Sequence, residues 1–220
     1  MQSNSNYRAA ARATLSGHWN ETALMTLVIL LVSLLFSGIS MMAAFTDMIS
    51  VPTMFVTMSD TANTLVVLLL AAPLEYAMSN VLLAMRRNEL EDTPFMTMFR
   101  FFSRDWGRYV VAYVLVLIIV VLISIPTLGI GGIIFGYAYK MVPYLLHDYP
   151  ELTAKEALKL SREMMKGYKW DLFLLEFSFI GWILLAILTC GIGILWLMPY
   201  MYAAEAEFYD DLKAETVVEE

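Results

Sequence analysis

The chain has 220 residues, of which 60% are apolar and only 16% are charged, whereas soluble domains average about 45–50% and about 25%. This composition excludes a disordered, collagen-like or disulfide-rich protein, and the net charge of −7 argues against a nucleic-acid-binding protein. A soluble core of this size could not bury so much apolar surface, so the composition indicates a protein whose solvent is the lipid bilayer.

The apolar runs predict transmembrane helices, because a helix that crosses the hydrocarbon core needs about 20 apolar residues at about 1.5 Å each. Two long runs, 109–146 and 172–204, contain one charged residue each and are interrupted by glycines, so we divide each into two spans. A continuous helix over 109–146 is the alternative, but it would overshoot the bilayer. The six predicted spans are 22–45, 64–85, 109–126, 128–146, 172–189 and 192–209.

The basic residues predict the orientation of these spans. Every Lys and Arg except Lys140 lies outside the apolar runs, in segments that the six-span arrangement places on one side of the membrane. Basic loops stay in the cytoplasm. The sequence therefore predicts a bacterial inner-membrane protein, an all-α bundle of six spans in one domain with both termini in the cytoplasm. Residues 210–220 would form an acidic cytoplasmic tail.

A similar unit recurs three times along the chain: a basic segment, an aromatic–glycine marker and two spans. The markers are Gly17-His18-Trp19, Trp106-Gly107 and Gly167-Tyr168-Lys169-Trp170. The outer turns of the second and third units share the pattern T-x-G-I-G, at 127–131 and 189–193, whereas the first unit has a longer loop at 46–63. This pattern favours three hairpins arranged as a parallel repeat.

Two segments between the spans predict amphipathic helices in the headgroup plane. Thr93 and Pro94 suit the start of a helix over 93–106, and Thr153 with Glu156 has the capping-box pattern at the start of 153–166. We predict that their basic faces contact anionic lipids, the alternative being that they only anchor the bundle. The candidate lipid contacts are Arg100, Arg104, Arg108, Lys155, Lys159 and Lys166.

Glu75, Lys140 and Glu176 each stand alone in an apolar run. A carboxylate near the middle of a bilayer costs several kcal/mol unless it is paired, solvated or protonated, and Pro73 can kink the helix beside Glu75 by freeing a backbone carbonyl. Glu75 is therefore a candidate ion- or proton-coupling acid, the alternative being a structural side chain that is protonated or paired with Lys140. We expect Glu176 to form an interfacial ion pair with Lys140 or Lys169.

The remaining polar residues predict no catalytic, metal or cofactor site. The chain lacks the G-x-S-x-G, H-E-x-x-H and phosphate-loop patterns, and its single cysteine, Cys190, cannot form an intramolecular disulfide. An acidic group stands at the exit of the sixth span, where we expect solvation or docking on the basic helices rather than metal binding. It comprises Glu205, Glu207, Asp210 and Asp211.

The second half of the chain resembles a bacterial integral membrane family known as domain of unknown function 975. Pro73-Leu74-Glu75 is similar to a short motif of that family in the second span. The resemblance implies a multi-span membrane protein and supplies no biochemical activity. The matching residues are 137–139, 141–144, Asp148, 156–158, 161–167, 170–173, 178–182, 191–193, Trp196, 199–200 and 208–209.

Three functions remain open from the sequence. The first is a non-enzymatic membrane protein that supports the envelope through lipid or partner contacts, which the basic amphipathic segments favour. The second is a small permease or channel in which Glu75 is the coupling acid. The third is an intramembrane enzyme, which no catalytic motif in the sequence supports. A permease requires a polar path to Glu75, whereas a support protein would seal Glu75 by packing.

Overall fold

The structure of the chain, a computed structural model, describes residues 2–47 and 64–218, and these ranges are helical and contain no β-strand. The predicted all-α class is confirmed for them. Most of the predicted loop 46–63 and the last two residues of the predicted tail lie outside the described residues. The helices are α1 (Asn4–Leu15), α2 (Trp19–Asp47), α3 (Ala72–Arg86), α4 (Pro94–Ser124), α5 (Ile130–Ala138), α6 (Val142–Asp148), α7 (Ala154–Met164), α8 (Lys169–Phe177), α9 (Ile180–Leu188) and α10 (Ile194–Val218).

Three stretches of described helix are long and apolar enough to cross a membrane: Thr64–Arg86, Pro94–Ser124 and Lys169–Leu188. A fourth is reached if Asn4–Leu15 and Trp19–Leu34, which meet at a 97° bend, form one broken span. The predicted spans 128–146 and 192–209 do not qualify in this way. The first is divided between α5 and α6, and the second lies in α10, which carries an internal proline and several carboxylates.

The predicted boundary between an interfacial helix over 93–106 and a span from 109 is wrong. Thr93 does cap the helix by accepting a hydrogen bond from the Met96 N–H, but α4 then runs without a break to Ser124. Gly107 lies in its interior, since one glycine costs a helix only about 1 kcal/mol and the flanking residues favour its continuation.

The second predicted amphipathic helix does form separately, as α7. The Thr153 side chain accepts a hydrogen bond from the Glu156 N–H, and the Glu156 carboxylate accepts one from the Thr153 N–H at 2.8 Å, so the predicted capping box is present. Gly167 follows the helix with φ +87°, a value that favours glycine.

The two T-x-G-I-G turns, 127–131 and 189–193, have the same structure. In each turn the threonine Oγ1 accepts a hydrogen bond from the N–H of the second glycine, at 2.9 and 3.0 Å. The first glycine has φ +90° at Gly129 and +87° at Gly191, in the left-handed region that disfavours other residues. The repeat predicted for the second and third hairpins is therefore present in their turns.

These turns and an ionic network occupy opposite ends of the bundle. Helices α5 and α6 lead from the first turn to Asp148, and α10 leads from the second turn to Asp210. Both carboxylates contact the Arg87 guanidinium, at 2.6 and 2.5 Å. At the network end α1 packs across α10, where the Tyr7 hydroxyl donates to Asp211 at 2.5 Å.

Helix α3 occupies the centre of the bundle and packs against α4, α6 and α10. Nearly all of its residues are buried, including the polar Ser79 and Asn80, and the Asn80 amide donates to the buried Tyr109 hydroxyl at 2.9 Å. Large apolar side chains on α4, α5 and α9 are instead exposed on the outside of the bundle. Such an exposed apolar surface is typical of a protein surrounded by lipid.

Candidate functional site

The candidate site begins at the break between α5 and α6. Pro143 stands near the start of α6 and has no N–H, so one helix cannot run through this point with all of its hydrogen bonds. The chain turns at 139–141, which carries Lys140. The Lys140 Nζ lies 2.8 Å from Glu176 Oε1 and 3.2 Å from Glu205 Oε1, and one ammonium thus bridges carboxylates of α8 and α10.

Glu176 is held by a further hydrogen bond, and Glu205 is buried. Glu176 also accepts a hydrogen bond from the Tyr137 hydroxyl at 2.6 Å. The Glu205 side chain is only 5% exposed, and the alanines around it, Ala203, Ala204 and Ala206, are buried. Small neighbours allow α10 to approach the other helices closely, which brings the Glu205 carboxylate to Lys140.

Glu75 reaches the same region from the first turn of α3. Pro73 leaves the Leu69 carbonyl without its helical donor, and the Trp106 indole N–H donates to that carbonyl at 2.6 Å. A π-helical turn, Val67–Ala71, precedes α3 at this point. The predicted freeing of a backbone carbonyl beside Glu75 is therefore confirmed, and a side chain of α4 satisfies the carbonyl.

A cavity of about 180 Å³ joins Glu75 to the Lys140 bridge. Its polar lining includes Glu75, Lys140 and Glu205, and the Glu75 carboxylate forms no hydrogen bond or ion pair with any residue in the described ranges. Since a water molecule occupies about 30 Å³ in the liquid, the cavity has room for several waters or one small ligand. The hydroxyl-bearing side chains on its walls are Tyr76, Ser79, Tyr139 and Tyr202.

The cluster gathers three carboxylates, Glu75, Glu176 and Glu205, around the single ammonium of Lys140. Uncompensated charge in a low-dielectric interior is costly, so the excess negative charge favours uptake of a proton or a cation. Among the described residues, no group of three His, Cys, Asp or Glu side chains is arranged to hold a metal ion. The geometry therefore suits reversible protonation or the binding of a small cation through hydroxyl and carboxylate oxygens.

The structure brings together all three predicted intramembrane polar residues. Lys140 is the partner of Glu176, one of the two partners expected for it, but Glu75 does not pair directly with Lys140. Sequence reasoning missed Glu205, because it was grouped with the acidic residues at the end of the sixth span. The alanines that flank Glu205 could have indicated that this part of α10 packs closely against other helices, since a solvated tail does not require small residues.

The candidate lipid contacts fall into two groups. Arg100 pairs with Glu91 and Asp92, Arg104 pairs with Asp105, and Arg108 donates to the carbonyls of Leu146, Tyr149 and Leu152 at 3.0–3.2 Å. Lys155, Lys159 and Lys166 are exposed and form no ion pair with any residue that the structure describes. Among these six candidates, only the three lysines on or next to α7 therefore offer charge that no described residue pairs with.

The ionic network around Arg87, Asp148 and Asp210 joins α3, α6 and α10. It lies about 7–8 Å further along α10 than Glu205, because Glu205 and Asp210 are five helical residues apart. The Asp148 carboxylate accepts hydrogen bonds from Arg87, Tyr209 and Lys213. Burial alone would raise the pKa of Asp148, but the hydrogen bonds from Arg87 and Lys213 outweigh it and lower this pKa to about 2. Arg86 pairs with Glu207 and Asp210.

Comparison with known proteins places this site in a described family. Residues 107–216 match the model of a family described as protein of unknown function (DUF975). The match includes Lys140, Asp148, Glu176 and Glu205, whereas Glu75 precedes it. No curated protein and no solved structure matches the chain.

Proposed function

The chain belongs to the DUF975 family of proteins of unknown function, and we propose that it is a small, non-enzymatic membrane permease or channel in which Glu75 is the ion- or proton-coupling acid. One observation supports this proposal: the Glu75 carboxylate lines a cavity with Lys140 and Glu205 instead of being sealed by packing or bonded to a neighbouring side chain. A purely structural acid would have a hydrogen-bond partner at this depth.

The proposal includes the membrane arrangement. Six spans in three hairpins would cross a bacterial inner membrane, with the ionic network, α7 and both termini on the cytoplasmic side. The two T-x-G-I-G turns at the opposite end of the bundle support this arrangement. The helices are interrupted at 139–141 in the proposed fourth span and at 178–179 in the proposed fifth span. These interruptions support the permease or channel proposal, because interrupted spans commonly line substrate or ion sites.

Replacing Glu75 with glutamine tests the coupling role. Glutamine keeps the shape of the side chain but cannot carry an exchangeable charge, so we expect proton flux to fall by at least about tenfold. The measurement uses full-length protein in liposomes containing a pH-sensitive dye, with an imposed potassium diffusion potential as the driving force. Glu151→Gln removes the same charge at an exposed position and should leave the flux unchanged. Equal flux from wild type and Glu75→Gln would refute the coupling role.

A second function is favoured by the exposed face of α7. Lys155, Lys159 and Lys166 present unpaired charge, and Trp170, four residues after Lys166, is exposed and is a residue type that prefers the membrane interface. Such a face suits the headgroups of anionic lipids, each basic residue near the surface contributing about 1 kcal/mol. This helix would let the protein support or organise the envelope through lipid contacts, in parallel with or instead of transport.

Changing these three lysines to glutamine should lower the affinity of the full-length protein for anionic lipid by at least about tenfold, since about 1 kcal/mol per charge is lost. Titration of the detergent-solubilised protein with soluble short-chain phosphatidylglycerol measures this affinity. The control variant changes Arg100 and Arg104 to glutamine. Because ion pairs already neutralise both charges, we expect a much smaller fall in the affinity for anionic lipid. A control effect as large as that of the lysine variant would contradict the assignment to α7.

A further inference from the structure

A second cavity lies on the outer surface of the bundle, between the corner of α1 and α2 and the hairpin of α9 and α10. Its volume is about 340 Å³, within the range of about 300–1,000 Å³ typical of ligand pockets. The walls are almost entirely apolar. We name it the Arg12 groove after the charged residue in its lining; the other principal lining residues are Trp19, Trp182, Leu185, Trp196 and Tyr200.

The groove is built by close packing of α9 and α10. A Cβ atom at Gly193 would lie 2.9 Å from the Ala186 backbone, so the glycine allows the two helices to meet at the floor of the groove. Tyr200 then packs its ring against Trp19 and Trp182, with ring centroids 6.1 and 6.4 Å apart. The aromatic wall is therefore held in place before any ligand arrives.

The charge in the groove is unpaired. Arg12 is exposed at the end of α1 and makes no ion pair or hydrogen bond with any residue of 2–47 or 64–218, whereas Arg8, one turn earlier, donates to the Ser178 carbonyl at 3.1 Å. The indole N–H groups of Trp19, Trp182 and Trp196 also lack an acceptor in the described chain. Arg12 thus supplies a cation, and the indoles supply donors, at an otherwise apolar trough.

We propose that the Arg12 groove binds one anionic glycerophospholipid, with its phosphate on Arg12 and an acyl chain against the three tryptophans. The wall from Trp182 to Thr189 covers seven residues of helix, or about 10 Å, which accommodates a substantial part of an acyl chain. A guanidinium recognises phosphate through paired hydrogen bonds, and tryptophan packs readily beside lipid at the interface. This site is separate from the Glu75 cavity and from the α7 face, and it does not depend on either proposed function.

Fluorescence quenching by brominated lipids tests the proposal directly, because three of the five tryptophans line the groove. Full-length protein carrying Trp170→Phe, which removes the signal beside α7, is titrated in mixed micelles with phosphatidylglycerol brominated on its acyl chains. We expect saturable quenching. Arg12→Gln should require about tenfold more lipid for half-saturation, since a charge-assisted contact is lost. With the wild-type groove, brominated phosphatidylcholine should also require about tenfold more lipid for half-saturation than brominated phosphatidylglycerol.

Two further variants separate this site from general lipid contact. Arg100→Gln removes the same charge elsewhere and should leave half-saturation unchanged, whereas Leu185→Phe narrows the groove without altering charge and should weaken saturable quenching. Far-ultraviolet circular dichroism and a monodisperse chromatographic peak establish that each variant is folded. Quenching that rises in proportion to the brominated fraction, or that is equal for the two headgroups or for wild type and Arg12→Gln, would overturn the proposal.

Discussion

Replacing Lys140 with methionine is expected to lower the free energy of unfolding by about 3–5 kcal/mol, because it leaves Glu176 and Glu205 buried without their common cation. The two carboxylates would then repel each other, and one of them, Glu205, is almost fully buried. The loss corresponds to a fall of roughly 6–20 °C in the thermal midpoint of a chain of this length. Circular dichroism of the full-length protein in mild detergent measures that midpoint.

A triple variant shows whether charge or packing causes the loss. Lys140→Met combined with Glu176→Gln and Glu205→Gln removes the whole charged group, and we expect it to recover most of the stability, since replacing all members of a buried ionic group is often neutral. Lys159→Met is the matched control at an exposed position and should change stability by less than about 0.5 kcal/mol. The explanation is wrong if Lys140→Met unfolds at the wild-type temperature.

Asp148→Asn is expected to cost about 3 kcal/mol, because Asp148 accepts two charge-assisted hydrogen bonds from Arg87, one from Lys213 and a further bond from Tyr209. The side chain is only 4% exposed, so water cannot replace these partners. Asparagine keeps the shape but loses the charge that holds three helices together. Thermal unfolding at pH 7 measures the loss, and Asp92→Asn, at a more exposed ion pair, should cost far less.

The same variant should change the pH dependence of stability. The pKa of Asp148 is lowered to about 2 in the folded chain, below the usual value of about 3.9. Its stabilisation, about 2 kcal/mol, is therefore fully present above about pH 4 and is lost as the pH falls toward 2. The gap between wild type and Asp148→Asn should narrow between pH 5 and pH 2, and a constant gap would contradict the assigned role of Asp148.

Several features of the fold could be predicted from residues that are close together in the sequence. The T-x-G-I-G turns were predicted at the correct residues, because a glycine with positive φ and a threonine that bonds to the next turn depend only on near neighbours. The capping box of α7 is local in the same way. Gly107 was misjudged because the energy of a single helical glycine is small beside the preference of its neighbours for continuing the helix.

The candidate site depended on contacts that no local signal contains. Glu75, Lys140 and Glu176 could each be recognised as isolated charges in apolar sequence, but their meeting is decided by the packing of α3, α8 and the α5–α6 break. Glu205 was missed because the position of its carboxylate is set by the packing of α10 against the other helices, whereas the sequence shows only the charges near it in the chain. The ionic network around Asp148 escaped prediction for the same reason, since Arg87 and Lys213 are 126 positions apart.

The break between α5 and α6 has an electrostatic consequence for the candidate site. Helix α5 ends at Ala138, just before Lys140, and α8 ends at Phe177, just after Glu176. The terminal carbonyl groups of a helix act as about half a negative elementary charge. The N-termini of α6 at Val142 and of α9 at Ile180 lie at the same two breaks and carry the opposite partial charge. Because these helix ends oppose one another, the side-chain carboxylates around Lys140, rather than the main chain, give the site its preference for positive guests.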